Sequence, residues 1–314
     1  MAEWKTQDGR RPDLEAIEVA PPTGYIGNKL MPVIETTERT GTVYYQSTSG
    51  DAIAESAAQT GRSATDAPTE QELAASTTTW TCAEVIDRTL IKPEEAKSYG
   101  SMEKADKVGG KVAKRNVMNA IETAIVAKVL GSGVTPTGTF DAAKFILQVQ
   151  TELNTMRVYS GRRTLYASEI VLKGMARAFL TNSTIGPAFS RLIVGTSPDV
   201  AMAGLNLKVL LNAIAMHVGV DECIAGRDSV WNPSGYTGRV GLMLTDDTGD
   251  EFSYKYQAVY GKNYLYLPDG KNPFFIESFY DMDDLTNKYT CKANYGLVEL
   301  NSGMFKVWDG VETA

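Results

Sequence analysis

QSTSGDAIAESAAQTGRSATDAPTEQELAASTTT, residues 46 to 79, runs for 34 residues with only two large apolar side chains, Ile53 and Leu73. Ordering a backbone costs about 1–2 kcal/mol per residue, and two aliphatic side chains do not offset that over such a length. The stretch cannot fold by itself, yet strand-like segments flank it. Before it, Leu30 to Ile34 and Thr42 to Tyr45 are short apolar pieces split by Glu35 to Gly41. After it, Trp80, Cys82, Ile86 and Leu90 alternate with Thr79, Thr81, Asp87 and Thr89, the period of a returning strand. The flanks predict the stem of a long hairpin, with the apolar-poor segment as its tip. A tip without a core needs a partner elsewhere, on another subunit.

Working outward, residues 1 to 24 carry scattered charges with Pro12, Pro21 and Pro22 and no periodicity, which reads as an extended arm ordered by neighbours. On the other side, Ser101 opens the longest helical pattern, with Glu103 in its first turn, Gly131 just past its end and Pro136 beyond. Val117, Ile121, Ala124, Ile125 and Val129 recur at helical spacing. About thirty residues at 1.5 Å each span roughly 45 Å, the length of a spine. Gly109 and Gly110 interrupt it, and a bend is expected there.

A second helix follows Asp141 with Phe145, Val149, Leu153 and Met156 on one stripe, and a strand follows at Thr164 to Ala167. Ser168 caps a third helix through Val171, Met175 and Phe179, and a fourth runs from about Asn206 through Leu210, Ile214 and His217. Gly186, Gly195 and Pro198 mark a loop between them. From Glu222 onward strands dominate: Phe252 to Tyr260 alternates after an Asp246 to Asp250 turn, with further strands at Tyr264 to Leu267, Phe274 to Tyr280, Lys288 to Val298 and Met304 to Trp308. Asp269-Gly270 and Ser302-Gly303 read as turns. The sum is α+β, with no repeat of fixed period.

Composition is that of globular material: 314 residues, 43% hydrophobic and 22% charged. The net charge of -7, from 31 basic and 38 acidic residues, excludes a wholesale polyanion binder but leaves room for a local basic patch. Cys82, Cys223 and Cys291 form no CxxC pair, and the odd count suits a reducing compartment with the thiols as core fillers. No apolar run reaches a membrane span, and the N-terminus lacks an apolar leader segment.

Catalytic candidates are few. His217 is the only histidine, and with Cys223 it could be forced into a base–nucleophile couple, but no GxSxG elbow or cysteine-enzyme signature accompanies it. The plainer reading places His217 at a helix end near the favourable C-terminal dipole. One histidine and three dispersed cysteines give no zinc spacing. Asp246, Asp247, Asp250 and Glu251 lack the spacing of a calcium loop, Gly131, Gly133 and Gly138 follow a helix rather than a strand, and GxxxxGK[ST] is absent. No cofactor or metal is expected. Lys104, Lys107, Lys111 and Lys114 recur three or four apart along the spine helix, widened by Arg115. Such a stripe is either a solvated face or a docking surface for nucleic acid or an acidic partner. The hairpin tip is itself acidic, with Asp51, Glu55, Asp66, Glu70 and Glu72 against Arg62 alone, so Asp66, Glu70 and Glu72 could meet the lysine stripe across subunits.

The order of these parts resembles the major capsid proteins of tailed phages, with their Hong Kong 97-like fold. The resemblance is carried by the arm, by Ile26-Gly27-Asn28-Lys29-Leu30-Met31-Pro32-Val33 entering the long hairpin, and by the spine helix. Leu210 to Cys223 followed by Ser229-Val230-Trp231-Asn232 is similar to that family's axial-domain helix and strand. The resemblance implies an N-terminal arm (1–24), an extended β-hairpin loop region (25–90), a spine helix and peripheral domain (91–160), an axial domain (161–240) and a β-rich segment (241–314) returning to the axial and peripheral domains. It also implies a homo-oligomeric shell of pentamers and hexamers around packaged DNA contacted only non-specifically. A separate scaffolding protein, a portal and decoration proteins would be the other partners, and no membrane is involved. The place of action would be the virion capsid, with synthesis in the bacterial host cytoplasm. An encapsulin-like cargo compartment shares the fold; a soluble hydrolase using His217 and Cys223 does not. The sequence shows no long scaffolding region before the arm, so the resemblance implies either a separate scaffold or a cut chain; residues 40 to 79 contain no lysine, so the resemblance does not extend to the family's loop cross-link.

Overall fold

The computed structural model describes residues 9–17, 19, 24–45, 76–156, 161–193, 207–245, 260–283, 285–300 and 302–313. It opens with a short strand, β1 (Gly9–Arg10), and one helical turn, α1 (Pro12–Glu15), in which proline supplies the fixed φ of a first helical position. A second turn, α2 (Gly27–Leu30), precedes β2 (Val33–Thr36). The hairpin stem is β3 (Thr40–Tyr45) against β4 (Ser76–Thr81), paired antiparallel from Thr40↔Thr81 to Tyr45↔Ser76. The chain continues as β5 (Ala83–Ile91) and α3 (Pro93–Ser98) into the spine, α4 (Met102–Val129). The Ser101 hydroxyl accepts from the Lys104 N–H at 3.3 Å, the N-cap that the sequence signals. At 28 residues the spine is about 42 Å long.

Beyond it come β6 (Gly138–Thr139), α5 (Phe145–Thr155), β7 (Arg162–Ser168), α6 (Glu169–Thr181), α7 (Gly186–Leu192) and α8 (Leu207–Val218). They are followed by β8 (Glu222–Gly226), α9 (Asp228–Trp231), β9 (Val240–Thr245), β10 (Gly261–Tyr266), β11 (Phe274–Asp281), β12 (Thr286–Glu299) and β13 (Phe305–Asp309). A six-stranded sheet runs β1-β11-β12-β10-β2, with β5 paired along the other edge of β12; a five-stranded sheet runs β6-β13-β9-β7-β8.

Two cores follow from these layers. The apolar stripe of α4, including Val117, Ile121, Ile125 and Val129, is fully buried against Leu14, Leu30, Tyr289 and Cys291 of the first sheet and its approaches. Phe145 and Val149 of α5, Met175 and Phe179 of α6 and Ile214 of α8 enclose the second core with Leu242 and Trp308.

The arm is not wholly extended: residues 9–17 dock on the rest of the same chain, because Leu14 is buried beside the spine and Arg11 reaches Asp106 at 3.3 Å. Leu30 to Ile34 is a helical turn followed by a strand, because Leu30 and Met31 both turn into the first core. Gly186 opens α7 rather than sitting in a loop; Gly195 and Pro198 lie outside the described residues. Ser229 to Trp231 is helical, and the strand lies earlier, at β8. Ser302-Gly303 is a 3-10 turn, Ser302–Met304. The alternation at Phe252 to Val259 and its Asp246 to Asp250 turn lie outside the described residues.

The glycines in the spine have a different use from the expected interruption, since α4 runs through them. A Cβ at Gly109 would sit 2.4 Å from the Tyr289 ring, and one at Gly110 3.2 Å from Leu14. Gly109→Ala gains about 1 kcal/mol of helix propensity, but it displaces Tyr289, whose hydroxyl donates to Asp106. Overpacking at such a site costs about 1–3 kcal/mol, so the variant is expected to have a lower urea midpoint than wild type. A midpoint at or above wild type would contradict this account.

Candidate assembly surfaces

The hairpin is held at its root. Trp80 of β4 stacks on Tyr264 of β10 at 4.5 Å between ring centroids and 3° between planes, inside a small cluster with Cys82, Val298 and Leu300. Gly41 lies under the indole, where a Cβ would come within 2.6 Å of the ring, so only glycine lets β3 pass there. The Cys82 N–H donates to the Arg39 carbonyl at 2.8 Å, and the Arg39 guanidinium lies over the Tyr266 ring at 5.2 Å. A rigid base of aromatic rings thus carries a stem whose distal sequence contains only two large apolar side chains, Ile53 and Leu73.

At β5 the alternation changes phase. Trp80 and Cys82 are buried, but Ile86 and Leu90, expected on the same face, are exposed by 51% and 49%. The chain leaves the pairing with β3 at Thr81 and joins β12 at Ala83, and the step across Cys82 turns the odd-numbered residues inward. Val85, Asp87 and Thr89 therefore lie on the side of α4, where Asp87 accepts from Asn116 at 3.0 Å.

Below the root, one buried carboxylate joins three parts of the chain. Glu122 of α4, 2% exposed, accepts from the N–H groups of Ile26 at 3.0 Å and Gly27 at 3.1 Å and from the Trp231 indole at 2.6 Å. Arg227 adds a bond to Asn119 and donates its backbone N–H to the Gly24 carbonyl. Burial pushes the Glu122 carboxyl above the usual range, against the opposing pull of its three donors and Arg227. The signal for this clamp is legible in retrospect: Glu122 is a charged residue on the apolar stripe of an amphipathic helix.

The lysine stripe is narrower than its spacing suggests. Lys104, Lys107 and Lys111 are exposed with Arg115, but Lys107 already pairs with Glu103 at 2.5 Å. Lys114 turns inward, donating to the carbonyls of Glu15 at 3.3 Å and Ile17 at 3.1 Å and lying over the Phe274 ring. It fastens the arm rather than facing solvent. Glu15, 2% exposed, accepts two bonds from Arg10 and one from the Ile276 N–H, completing that fastening. Asp66, Glu70 and Glu72 lie outside the described residues.

His217 sits between Phe179 and Phe189, both 4.9 Å away by ring centroid, and its Nε2 has no hydrogen-bond partner among the described residues. Burial pulls its pKa below the ordinary histidine value and pushes the Cys223 thiol far up. Stability from a depressed imidazole is present above the unfolded value and lost as pH falls through it. Wild type is therefore expected to lose more thermal stability than His217→Gln between about pH 7 and 5.5, where an unfolded histidine titrates; equal slopes would remove His217 from the acid response. Among the described residues, no three histidine, cysteine or acidic side chains are grouped to hold a metal. None of the described helices is long and apolar enough to cross a membrane.

No family model and no curated protein matches the chain. Solved structures do. A phage-related protein from Bordetella bronchiseptica RB50 superposes with a TM-score of 0.64 at 12% identity, covering 98% of this chain and 100% of that one. The capsid of the cyanophage P-SCSP1u gives 0.54 at 8% identity, covering 93% and 90%. The mature capsid of bacteriophage PhiM1 gives 0.52 at 8%, covering 93% and 89%. The chain has the Hong Kong 97-like capsid fold. Within that fold, the spine is α4 and the long two-stranded loop is the β3–β4 hairpin, and the anchored root and the Glu122 clamp are where they meet the rest of the chain.

Proposed function

We propose that this chain is a major capsid protein, building the icosahedral head shell of a tailed bacteriophage from pentamers and hexamers around packaged DNA, without enzymatic turnover. The observation that carries the reading is the hairpin: a stem rigidly rooted on Tyr264 leads to a tip that lacks the apolar surface to fold alone. A separate scaffolding protein, a portal and decoration proteins would complete the particle, made in the host cytoplasm and retained in the virion. Negative-stain imaging of the purified protein is expected to show shells or capsomers, and a uniform small monomer would overturn the proposal. Co-purifying scaffold, portal or DNA would mark a phage head, whereas a co-purifying enzyme would mark a cargo shell.

The acidic tip around Asp66, Glu70 and Glu72 docks, in this reading, over Lys104, Lys111 and Arg115 of an adjacent subunit. Single exposed ion pairs contribute about 0–1 kcal/mol, but a closed shell repeats each contact in every copy. Lys104→Glu with Lys111→Glu should cut shell yield, and Glu70→Lys with Glu72→Lys in the same chain should restore part of it. Normal assembly of the first variant would place the tip elsewhere.

A further inference from the structure

We propose that the outer edge of β5 is a self-complementary contact, at which two copies of this chain pair antiparallel about a twofold axis through Ile86. The inference rests on the shell reading above and adds the surface by which subunits meet. β11 and β5 pair with the same stretch of β12, so they lie on its opposite sides. The β11 edge is covered by β1 and the β10 edge by β2. Among the described residues nothing pairs with the far edge of β5, a strand of nine residues. An edge that long, carrying exposed aliphatic side chains, is a template for another strand.

The side chains select the partner. Glu84, Ile86, Arg88 and Leu90 all point to the exposed face. In a twofold antiparallel pair each residue faces a fixed counterpart, so the centre of the register decides every contact. Centring on Asp87 sets that carboxylate against its own copy, and centring on Arg88 does the same with two guanidinium groups. Centring on Ile86 instead places Ile86 against Ile86, with a Glu84–Arg88 pair on either side. Such an isologous arrangement satisfies both charges at once. Arg88 lies on this face but leans inward over the sheet, its guanidinium over the Phe279 ring of β11 at 5.1 Å and its Nε donating to Thr290 of β12 at 3.3 Å, so pairing with the partner's Glu84 requires it to swing outward to the β5 edge. The occupant that matches an aliphatic centre flanked by one acid and one base is therefore a second copy of the same strand.

The test uses the full-length chain carrying Ile86→Cys, with Leu147→Cys, an exposed position on α5, as control; the native cysteines Cys82, Cys223 and Cys291 are buried. Directly opposed residues bring their Cβ atoms within about 4.5–5.5 Å, close to disulfide reach. Mild oxidation of particles should give Ile86→Cys a dimer as its main band on a non-reducing gel, and the control mostly monomer. Arg88→Glu should lower shell yield roughly tenfold or more by opposing carboxylates at both ends of the contact, and adding Glu84→Arg should restore it. Shells from wild type with a monomeric Ile86→Cys, or an Arg88→Glu variant that assembles normally, would overturn the pairing and leave the shell reading intact. Failure of the double variant to recover would overturn the Ile86-centred register. If wild type forms no shells the shell reading falls, and oxidation of soluble Ile86→Cys still decides the strand pairing by itself.

Discussion

A subunit in which residues 46–75 are replaced by an Asn-Gly turn is expected to fold and to form no closed shells. The stem supplies six paired residues on each strand, and its root is held by Trp80 on Tyr264, so the anchor survives the replacement. Asn-Gly matches the twist of a two-residue hairpin, and shortening the loop from thirty residues to two lowers its closure entropy by about 2 kcal/mol. Circular dichroism should therefore be retained and the melting temperature should hold or rise. Assembly should fail, because the removed segment offers the subunit no core and has only reach to contribute. Collapse of the circular dichroism would show the tip to be part of the fold, and normal shells would show it to be dispensable for assembly.

The second large effect is expected at Glu122. Truncation by Glu122→Ala removes the acceptor for the Ile26 and Gly27 N–H groups and the Trp231 indole, all in a buried setting. Orphaned donors cost about 1–3 kcal/mol each and do not add fully, so a loss of about 3–5 kcal/mol is expected from urea denaturation. Glu122→Gln keeps one oxygen toward the same donors and should lose much less. The pH dependence has a definite sign. A carboxyl raised above its unfolded value stabilises most below that value, and the contribution is lost as pH rises through the folded one. Wild type should accordingly lose stability relative to Glu122→Gln as pH rises out of the acid range. A Glu122→Ala variant as stable as wild type would show that the clamp between the spine, the hairpin approach and α9 is dispensable.

What the sequence by itself determined is local. The limits of α4 follow from the Ser101 cap and the apolar stripe, α5 and α6 from period 3.6, and β10 to β13 from apolar and aromatic runs divided by turn residues, all set by residues a few positions apart. The hairpin stem was equally legible, since a segment too poor in apolar residues to fold leaves its flanks to pair with each other. Tertiary structure alone decided the rest. Which face β5 exposes depends on the step at Cys82 onto β12, some two hundred residues away in sequence. That Gly109 makes room for Tyr289, that Lys114 holds the arm, and that Glu122 receives Ile26 and Trp231 depend likewise on partners from distant segments. Helical and strand periodicity reports that a face is buried, but the partner that buries it is fixed only when remote segments pack, and with it the direction in which each charge points.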